Sequence, residues 1–518
     1  MSTEPSVLIL IPARAGSAGV SHKSMQLVDG TPLALHAIRT AQAAAKEMSN
    51  ARVLVSTDCP QVAGLALRHG VDVVQRPAAL ATPETTLREV AAYVAVTDIS
   101  WDVLVILPPT SIGVTPDDVH ALVAKLGETE LPGSAVLVQE SHRQTWQRGE
   151  RLTPYVNRQE AREGMTFTDA GVVAMRRGWA LGTGWGEEWM VATDSEIIDI
   201  DSYEDLALAD MRARRRRIWI RCIGDPATGT GHVQRCLRLA DALRRAHDVS
   251  VNVIDGAQWA MGLFESRGLR PLPEGTDPDL VVSDCLDTPG MFAGMSGDWP
   301  LLILEPSTTI LSTPGVAVVD ELSGDGSVMS GPAWAVLREE FAALPATRSD
   351  YSERLETVVV TCGGSDPTGL GREIATHPAL ADQSVRLILG PQAEATLLPL
   401  ADNVVEVVGA DMAAELFNAD LVICSRGRTQ YEAARASAPM IVVAANEREE
   451  AHCVVGGAWA VDRRRLDSGL SPMLRIMEDQ SMREACGMTA RARVDDKGVD
   501  RLVALIDSMV HGLRVEGL

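Results

Sequence analysis

No stretch of this chain approaches the ~18 uninterrupted apolar residues that a membrane-spanning helix needs, so the sequence predicts no membrane segment. Basic residues are missing from the opening MSTEPSVLILIP, which predicts no secretory leader. No CxxC pair occurs among the 8 cysteines scattered from Cys59 to Cys486. They read as reduced thiols rather than as a disulfide framework or a zinc site. Positive charge is in deficit: a net charge of −23 argues against nucleic acid as a partner, because such proteins normally display a basic face. It leaves room for a local basic pocket. Fixed-period repeats and low-complexity tracts are absent too. What remains is ordinary globular composition, 46% apolar and 23% charged, in 518 residues. That is too long for one hydrophobic core, so a cytoplasmic protein of several domains is expected.

Short apolar runs alternate with helix-length segments along most of the chain. VLILI (7–11) precedes a glycine-rich loop and the helical TPLALHAIRTAQAAAKEM; RVLVST (52–57), VDVV (71–74) and VLVIL (103–107) follow. Strands separated by helices predict βαβ units and a parallel sheet covered on both faces. A second alternation opens at IWIRCI (218–223) and a third at TVVVTCGG (357–364). Between the first two lies MRARRRRIWIR (211–221), with six arginines in eleven residues. It reads as a solvated helix end or linker, or else as a polyanion contact. The expected domains are 1–212, 213–345 and 346–518.

The first strand runs into Pro12-Ala13-Arg14-Ala15-Gly16-Ser17-Ala18-Gly19, with Lys23 four residues on. Glycines let backbone N–H groups approach an anion, while Arg14 and Lys23 can neutralise it. A plain strand-to-helix turn is the alternative. Farther on, Asp199 and Asp201 stand two apart in Ile198-Asp199-Ile200-Asp201. In an extended segment both carboxylates face one side and can share a divalent cation such as Mg2+. Alternatively, Asp201 or Ser202 simply caps the following helix.

The loop Ile11–Gly19 resembles the signature opening of acylneuraminate cytidylyltransferases, the enzymes that make CMP-sialic acid. Val55-Ser56-Thr57-Asp58, Arg76–Thr82, Pro109-Thr110-Ser111, Arg158-Gln159 and Ile198–Asp201 follow in that family's order over residues 7–210. The resemblance implies attack of a sugar-acid hydroxyl on the α-phosphate of CTP, with pyrophosphate leaving. It implies Arg14, Gly16, Ser17 and Lys23 around the triphosphate, with Arg76 and Ala81 near the cytosine. Thr110, Ser111, Arg158 and Gln159 would meet a nine-carbon sugar acid, and Asp199 and Asp201 would hold the metal; Lys23 and the two aspartates are the catalytic candidates. A homodimer is possible by the same analogy. The chain departs from the family at Ala18 (Lys), Ser24 (Asn), Pro108 (Gln), Ile112-Gly113-Val114 (Pro-Leu-Arg) and Ala170 (Asn). Two readings follow: an altered substrate, or a domain that binds and catalyses poorly.

The second alternation opens on Gly229-Thr230-Gly231-His232-Val233, before a helix. A histidine at a glycine-lined helix entrance suits general-base work beside a phosphate, or it merely packs at its own helix start. These residues, with Gly331–Phe341, Gly363-Gly364-Ser365-Asp366-Pro367 and Ser425–Glu432, resemble the UDP-sugar hydrolase of pseudaminic-acid biosynthesis, a relative of GT-B glycosyltransferases. The resemblance implies His232 as the hydrolytic residue and Gly229 and Gly231 beside a UDP-sugar. Gly363, Gly364, Ser365 and Thr429 would hold the nucleotide, with Glu432 on its ribose. Asp284-Cys285-Leu286 stands where the family has Asp-His-Tyr, and Arg426 and Arg428 replace a glycine and a serine.

The fold class expected is therefore α/β: an N-terminal nucleotidyltransferase domain (Rossmann-like, GT-A-like), then a GT-B-like pair of Rossmann-like domains. The function expected is a bifunctional enzyme of nonulosonic-acid metabolism. The alternatives are a glycosyltransferase at the C-terminus, or non-catalytic nucleotide-sugar binding.

Overall fold

The computed structural model describes residues 5–16, 19–97, 100–128, 133–141, 146–147, 150–151, 166–182, 186–225, 228–286, 299–306, 315–324, 329–364, 366, 368–390 and 400–511. Among them, no helix is long and apolar enough to cross a membrane. The chain divides into two compact units, Met1–Arg214 and Arg215–Leu518.

The first unit is built on a seven-stranded sheet. Its strands are β1 (Val7–Ala13), β2 (Ala51–Thr57), β3 (Asp72–Gln75), β4 (Val103–Ile106), β6 (Gly133–Ser141), β7 (Thr166–Arg176) and β8 (Glu187–Thr193). A separate two-stranded ladder joins β5 (Ser111–Ile112) to β9 (Ile198–Asp199). The sheet order is β8-β6-β7-β4-β1-β2-β3. Alternate residues of β1 face opposite layers: Ile9 and Ile11 meet α1 (Leu33–Lys46), whereas Leu8 and Leu10 meet the helix Leu87–Thr97. Helices thus cover both faces. The expected all-parallel sheet needs correcting, because β7 runs antiparallel to both β4 and β6. Alternating apolar runs reveal strands but not their direction. A register shift between Asp169 and Val173 breaks the β7–β6 ladder, and Gly171 sits there at φ +78°, the left-handed conformation glycine tolerates.

The second unit holds two parallel sheets. β10 (Arg217–Cys222), β11 (Asp248–Val253), β12 (Leu280–Asp284), β13 (Leu301–Leu304) and β14 (Val316–Val319) form the first, in the order β11-β10-β12-β13-β14. β15 (Thr357–Thr361), β16 (Ser384–Leu389), β17 (Val404–Val408), β18 (Leu421–Ser425), β19 (Met440–Val443) and β20 (Trp459–Val461) form the second. Its order, β17-β16-β15-β18-β19-β20, is the 3-2-1-4-5-6 winding of Rossmann folds. The first sheet has the other doubly wound order, 2-1-3-4-5, and the two Rossmann-like halves make the unit GT-B-like. The arginine run belongs to the junction. Arg212 and Arg214 end the helix α2 (Tyr203–Arg214) and pair with Glu196 and Asp210, while Arg215 pairs with Asp248 as the second unit begins.

The last described helix, α4 (Gly498–His511), does not stay with the second sheet, where the 346–518 division would place it. Its Val499, Leu502, Leu505 and Ile506 are buried in the core of β10–β14, beside α3 (Gly231–Leu243). The chain therefore crosses between the halves a second time. Leu502 is 1% exposed, so Leu502→Ala should cost about 2–5 kcal/mol through the lost burial and the cavity it leaves. Denaturant titration should show that loss in the unfolding of the second unit and leave the first unit's transition in place.

Candidate functional site

β1 and β2 end side by side at Ala13 and Thr57, and ligands of open α/β sheets bind outside such carboxyl ends. The loop after β1 is fixed there by Asp58, whose Oδ1 accepts a hydrogen bond from the Ala15 amide at 2.7 Å. Arg14 donates to the Thr82 carbonyl, next to Ala81, at 2.5 Å. Arg76 is buried and donates to the Ser56 carbonyl at 3.0 Å. Burial lowers the Arg76 pKa, against the pull of the Asp58 carboxylate and with the repulsion of Arg14. Arg14 and Arg76 therefore lie near Asp58, with Ala81 next to the residue that Arg14 holds.

The far end of the same loop meets β9. Lys23 Nζ donates to the Ile200 carbonyl at 2.7 Å and to Asp201 Oδ1 at 3.1 Å. Gly19 runs against the same backbone: a Cβ there would stand 2.1 Å from the Asp201 carbonyl oxygen. Asp199 lies on an exposed strand end, yet its carboxyl is crowded. Partial burial raises its pKa, a hydrogen bond from Thr110 opposes the rise, and the Asp201 and Asp169 carboxylates add to it. The β5–β9 ladder makes this geometry, pairing Asp199 with Ser111, while the Ile200 amide donates to the Thr110 carbonyl at 3.0 Å. Ser111 Oγ is buried without a hydrogen-bond partner among the described residues and faces Gly171. Lys23, Asp199, Asp201, Thr110 and Ser111 thus come together. Gly16 is exposed in the loop, and Ser17, Arg158 and Gln159 lie outside the described residues.

In the second unit, Gly229, Gly231, His232, Gly363, Gly364, Thr429 and Glu432 all line one cavity of about 530 Å³; Ser365 lies outside the described residues. The loops are in close contact, since a Cβ on Gly364 would stand 1.9 Å from Thr230 Oγ1. His232 and Arg235 are three apart on α3, hence on one face. Both reach Asp284 at the end of β12: His232 Nδ1 lies 2.6 Å from Asp284 Oδ1, and Arg235 Nε donates to Oδ2 at 2.7 Å. Arg235 also donates to Glu321 at 2.8 Å and to Glu305 at 3.1 Å. Arg428 bonds Glu321 and Glu305, and Arg448 bonds Glu305. Burial would raise the Asp284 and Glu305 pKa values, but the surrounding cations win. Arg235 and His232 hold Asp284 far below its usual range, and Arg428, His232, Arg235 and Arg448 hold Glu305 at about 2. Glu432 lines the cavity but is not free, because Arg338 grips both its oxygens at 2.7 and 2.9 Å.

Sequence reasoning missed Asp58, Asp169, Asp284, Glu305, Glu321 and Arg448 as site residues. One signal was available. LVVSD, LLILE and VAVVDE each end an apolar run on an acid, which puts a carboxylate at the carboxyl end of a parallel strand, where clefts form.

Residues 8–145 match the cytidylyltransferase family. The chain is 25% identical to the spore coat polysaccharide biosynthesis protein SpsG of Bacillus subtilis, over 54% of this chain and 95% of that protein. It is 36% identical to the 3-deoxy-manno-octulosonate cytidylyltransferase of Bradyrhizobium diazoefficiens, over 14% of this chain and 28% of that enzyme. It is 32% identical to the CMP-N,N'-diacetyllegionaminic acid synthase of Legionella pneumophila, over 23% of this chain and 51% of that enzyme. It therefore spans nearly all of SpsG but only about half or less of the two cytidylyl enzymes.

A carboxyl held below its ordinary value stabilises the fold at pH values where the unfolded group is ionised, and that stability is lost on acidification. For Glu305 the window lies between the ordinary 4.5 and about 2. Unfolding of the second unit should become easier as pH falls through it. Glu305→Gln should flatten that part of a stability–pH profile measured by chemical denaturation.

Proposed function

We propose that the first unit transfers the cytidylyl group of CTP to a nine-carbon sugar acid of the sialic, pseudaminic or legionaminic kind. One observation carries this reading: Lys23 of the glycine-rich loop meets Asp201, 178 residues away, beside Asp199 and Thr110. A phosphate-binding loop facing an acidic pair is what nucleotidyl transfer requires. The match of residues 8–145 and the likeness to two CMP-sugar-acid enzymes support it.

Asp199 and Asp201 fit a magnesium ion, which prefers carboxylate oxygens and substrate phosphates. Burial first, and then the neighbouring Asp201 and Asp169 carboxylates, favour a proton on Asp199, and those neighbouring carboxylates would equally favour a divalent cation. Bound there, the metal would withdraw charge from the phosphates. The chain's own residues do the rest. Arg14 and Lys23, at the two ends of the loop, neutralise the triphosphate, and Gly16 and Ser17 let it approach the backbone between them. Arg76 and Ala81 border the cytosine. Thr110 and Ser111, with Arg158 and Gln159, receive the sugar acid. The sugar hydroxyl oxygen forms a bond to the α-phosphorus as the bond to pyrophosphate breaks.

The second unit is read as a hydrolase of UDP-sugars. Its His232 Nδ1 is engaged by Asp284, which orients the ring and leaves Nε2 to accept a proton from a water whose oxygen bonds to the sugar's anomeric carbon as the bond from that carbon to UDP breaks. Glycosyl transfer is a second reading. The same base would serve an acceptor hydroxyl, and the nearly full-length likeness to a polysaccharide biosynthesis protein favours it.

With CTP, magnesium and a panel of sugar acids, the protein should release pyrophosphate and yield a CMP-linked acid by mass spectrometry. Asp199→Asn with Asp201→Asn should lower kcat/KM by at least about 10²-fold. No pyrophosphate from any acid would refute the first activity. Separately, UDP release from a UDP-sugar in water alone, abolished by His232→Ala, is expected. Release only when an acceptor sugar is added would establish transfer instead, and tight binding without turnover would remove catalysis from the second unit.

A further inference from the structure

Glu305 is the meeting point of three guanidinium groups. Arg235, from its own half of the second unit, donates at 3.1 Å. Arg428 and Arg448 reach it from the half carrying the second sheet. Arg428 also bonds Glu321, so two carboxylates of one half neutralise two arginines of the other. Taken alone, the first half has three buried acids in this cluster, Asp284, Glu305 and Glu321, against the guanidinium of Arg235, with His232 hydrogen-bonded to Asp284. Among the described residues, Arg428 and Arg448 match the excess acid from across the cleft.

The surroundings are those of a ligand site. Glu305, Arg428, Arg448 and His232 line the 530 Å³ cavity with the glycines of both loops. Gly231 leaves room for Arg428, since a Cβ there would stand 2.3 Å from its Nη1. Glu305 sits at φ +55°, a left-handed backbone that a side chain other than glycine adopts only when its surroundings impose it. Of the two cross-cleft arginines, Arg448 keeps 40% of its side chain exposed and Arg428 keeps 16%. They are reachable from the cavity without unfolding.

We propose that Arg428 and Arg448 form the recognition site for an anionic group of the second unit's ligand, a phosphate or a sugar carboxylate, and that Glu305 holds this place in the ligand-free cleft. Binding exchanges one carboxylate for another anion. The cost of baring the arginines is therefore never incurred, and a neutral ligand cannot displace Glu305. The freed Glu305 stays beside His232, because their ligand atoms, with those of Asp284, lie within 4.8 Å of one another. Arg428 thus reads the ligand's charge at a position where the resembling hydrolases carry serine. This inference rests on the second unit being a nucleotide-sugar module.

Binding of UDP and of free N-acetylneuraminic acid to the full chain tests it, by calorimetry on wild type, Glu305→Gln, Arg448→Met and Arg428→Met. Sites in the first unit are common to all four proteins and cancel in the comparison. Removing the internal competitor should tighten binding by about tenfold or more, and removing either arginine should weaken it by a similar factor. The effect on UDP alone identifies phosphate as the anion, and the effect on the acid alone identifies carboxylate. Binding that is unchanged across the variants, or weakened by Glu305→Gln, overturns the proposal and leaves the nucleotide-sugar reading standing. No binding of either ligand to the second unit in any of the four proteins overturns both. Thermal melting runs alongside, and if Glu305→Gln fails to fold, the half-exposed Arg448→Met decides alone.

Discussion

Asp284 ends β12 with no solvent exposure at all, and an ionised carboxylate in that position survives only if its charge is answered locally. Arg235 answers it with a two-nitrogen grip, and His232 takes part of the same oxygen. Arg235 then has donors to spare, which draw in Glu305 and Glu321. Those acids require further cations, and the chain supplies Arg428 and Arg448 from the other sheet. The arrangement of the whole cleft follows from satisfying one buried charge. It also fixes the imidazole in one orientation, since its Nδ1 is committed. Removing any one partner would leave uncompensated charge in the interior, which is far costlier than the loss of a single surface ion pair.

The first unit solves a related problem with less burial. A two-rung ladder, β5 with β9, sets Thr110 and Ser111 beside Asp199. The close approach of Gly19 to Asp201 brings the phosphate loop against the same strand. Asp58 holds the other end of the loop through the Ala15 amide. The loop is thereby pinned at both ends, and the exposed Gly16 lies between the pins. A loop fixed at two points loses little entropy when an anion binds, which is the advantage of preorganisation.

How much of this was legible in the sequence depends on the range of the interaction. Residues joined by one loop or one strand, such as Arg14 with Lys23 and Asp199 with Asp201, announced themselves through spacing and glycine content. So did the two Rossmann-like halves, because strand and helix periods alternate cleanly. The charge network did not, since its partners are separated by 52 residues for His232–Asp284 and 143 for Arg448–Glu305. Strand direction in β7 was likewise invisible, because an antiparallel strand and a parallel one share the same apolar pattern. The return of α4 to the first half was hidden for a different reason: Val499, Leu502 and Leu505 specify an apolar helical face but not which sheet it covers. Glu432 shows a subtler limit. It lines the cavity, yet Arg338 already occupies both its oxygens.

Each site pairs one of its cations with an acid of the protein's own, Lys23 with Asp201 and Arg428 with Glu305. In a chain of net charge −23, a lysine or arginine left alone in a cleft would attract whichever carboxylate lay nearest, in a geometry of no use to a ligand. A designated internal partner keeps the cation ordered. An incoming anion then gains only the difference between its own contact and the one it replaces, so affinity per contact is modest. Discrimination is not, because a ligand without charge must break the internal pair and offer nothing in return. The two sites differ in degree: Asp201 is 80% exposed and easily released to water, whereas Glu305 is 6% exposed and must be received by other buried groups. His232 and Arg235 stand next to it in the position to do so.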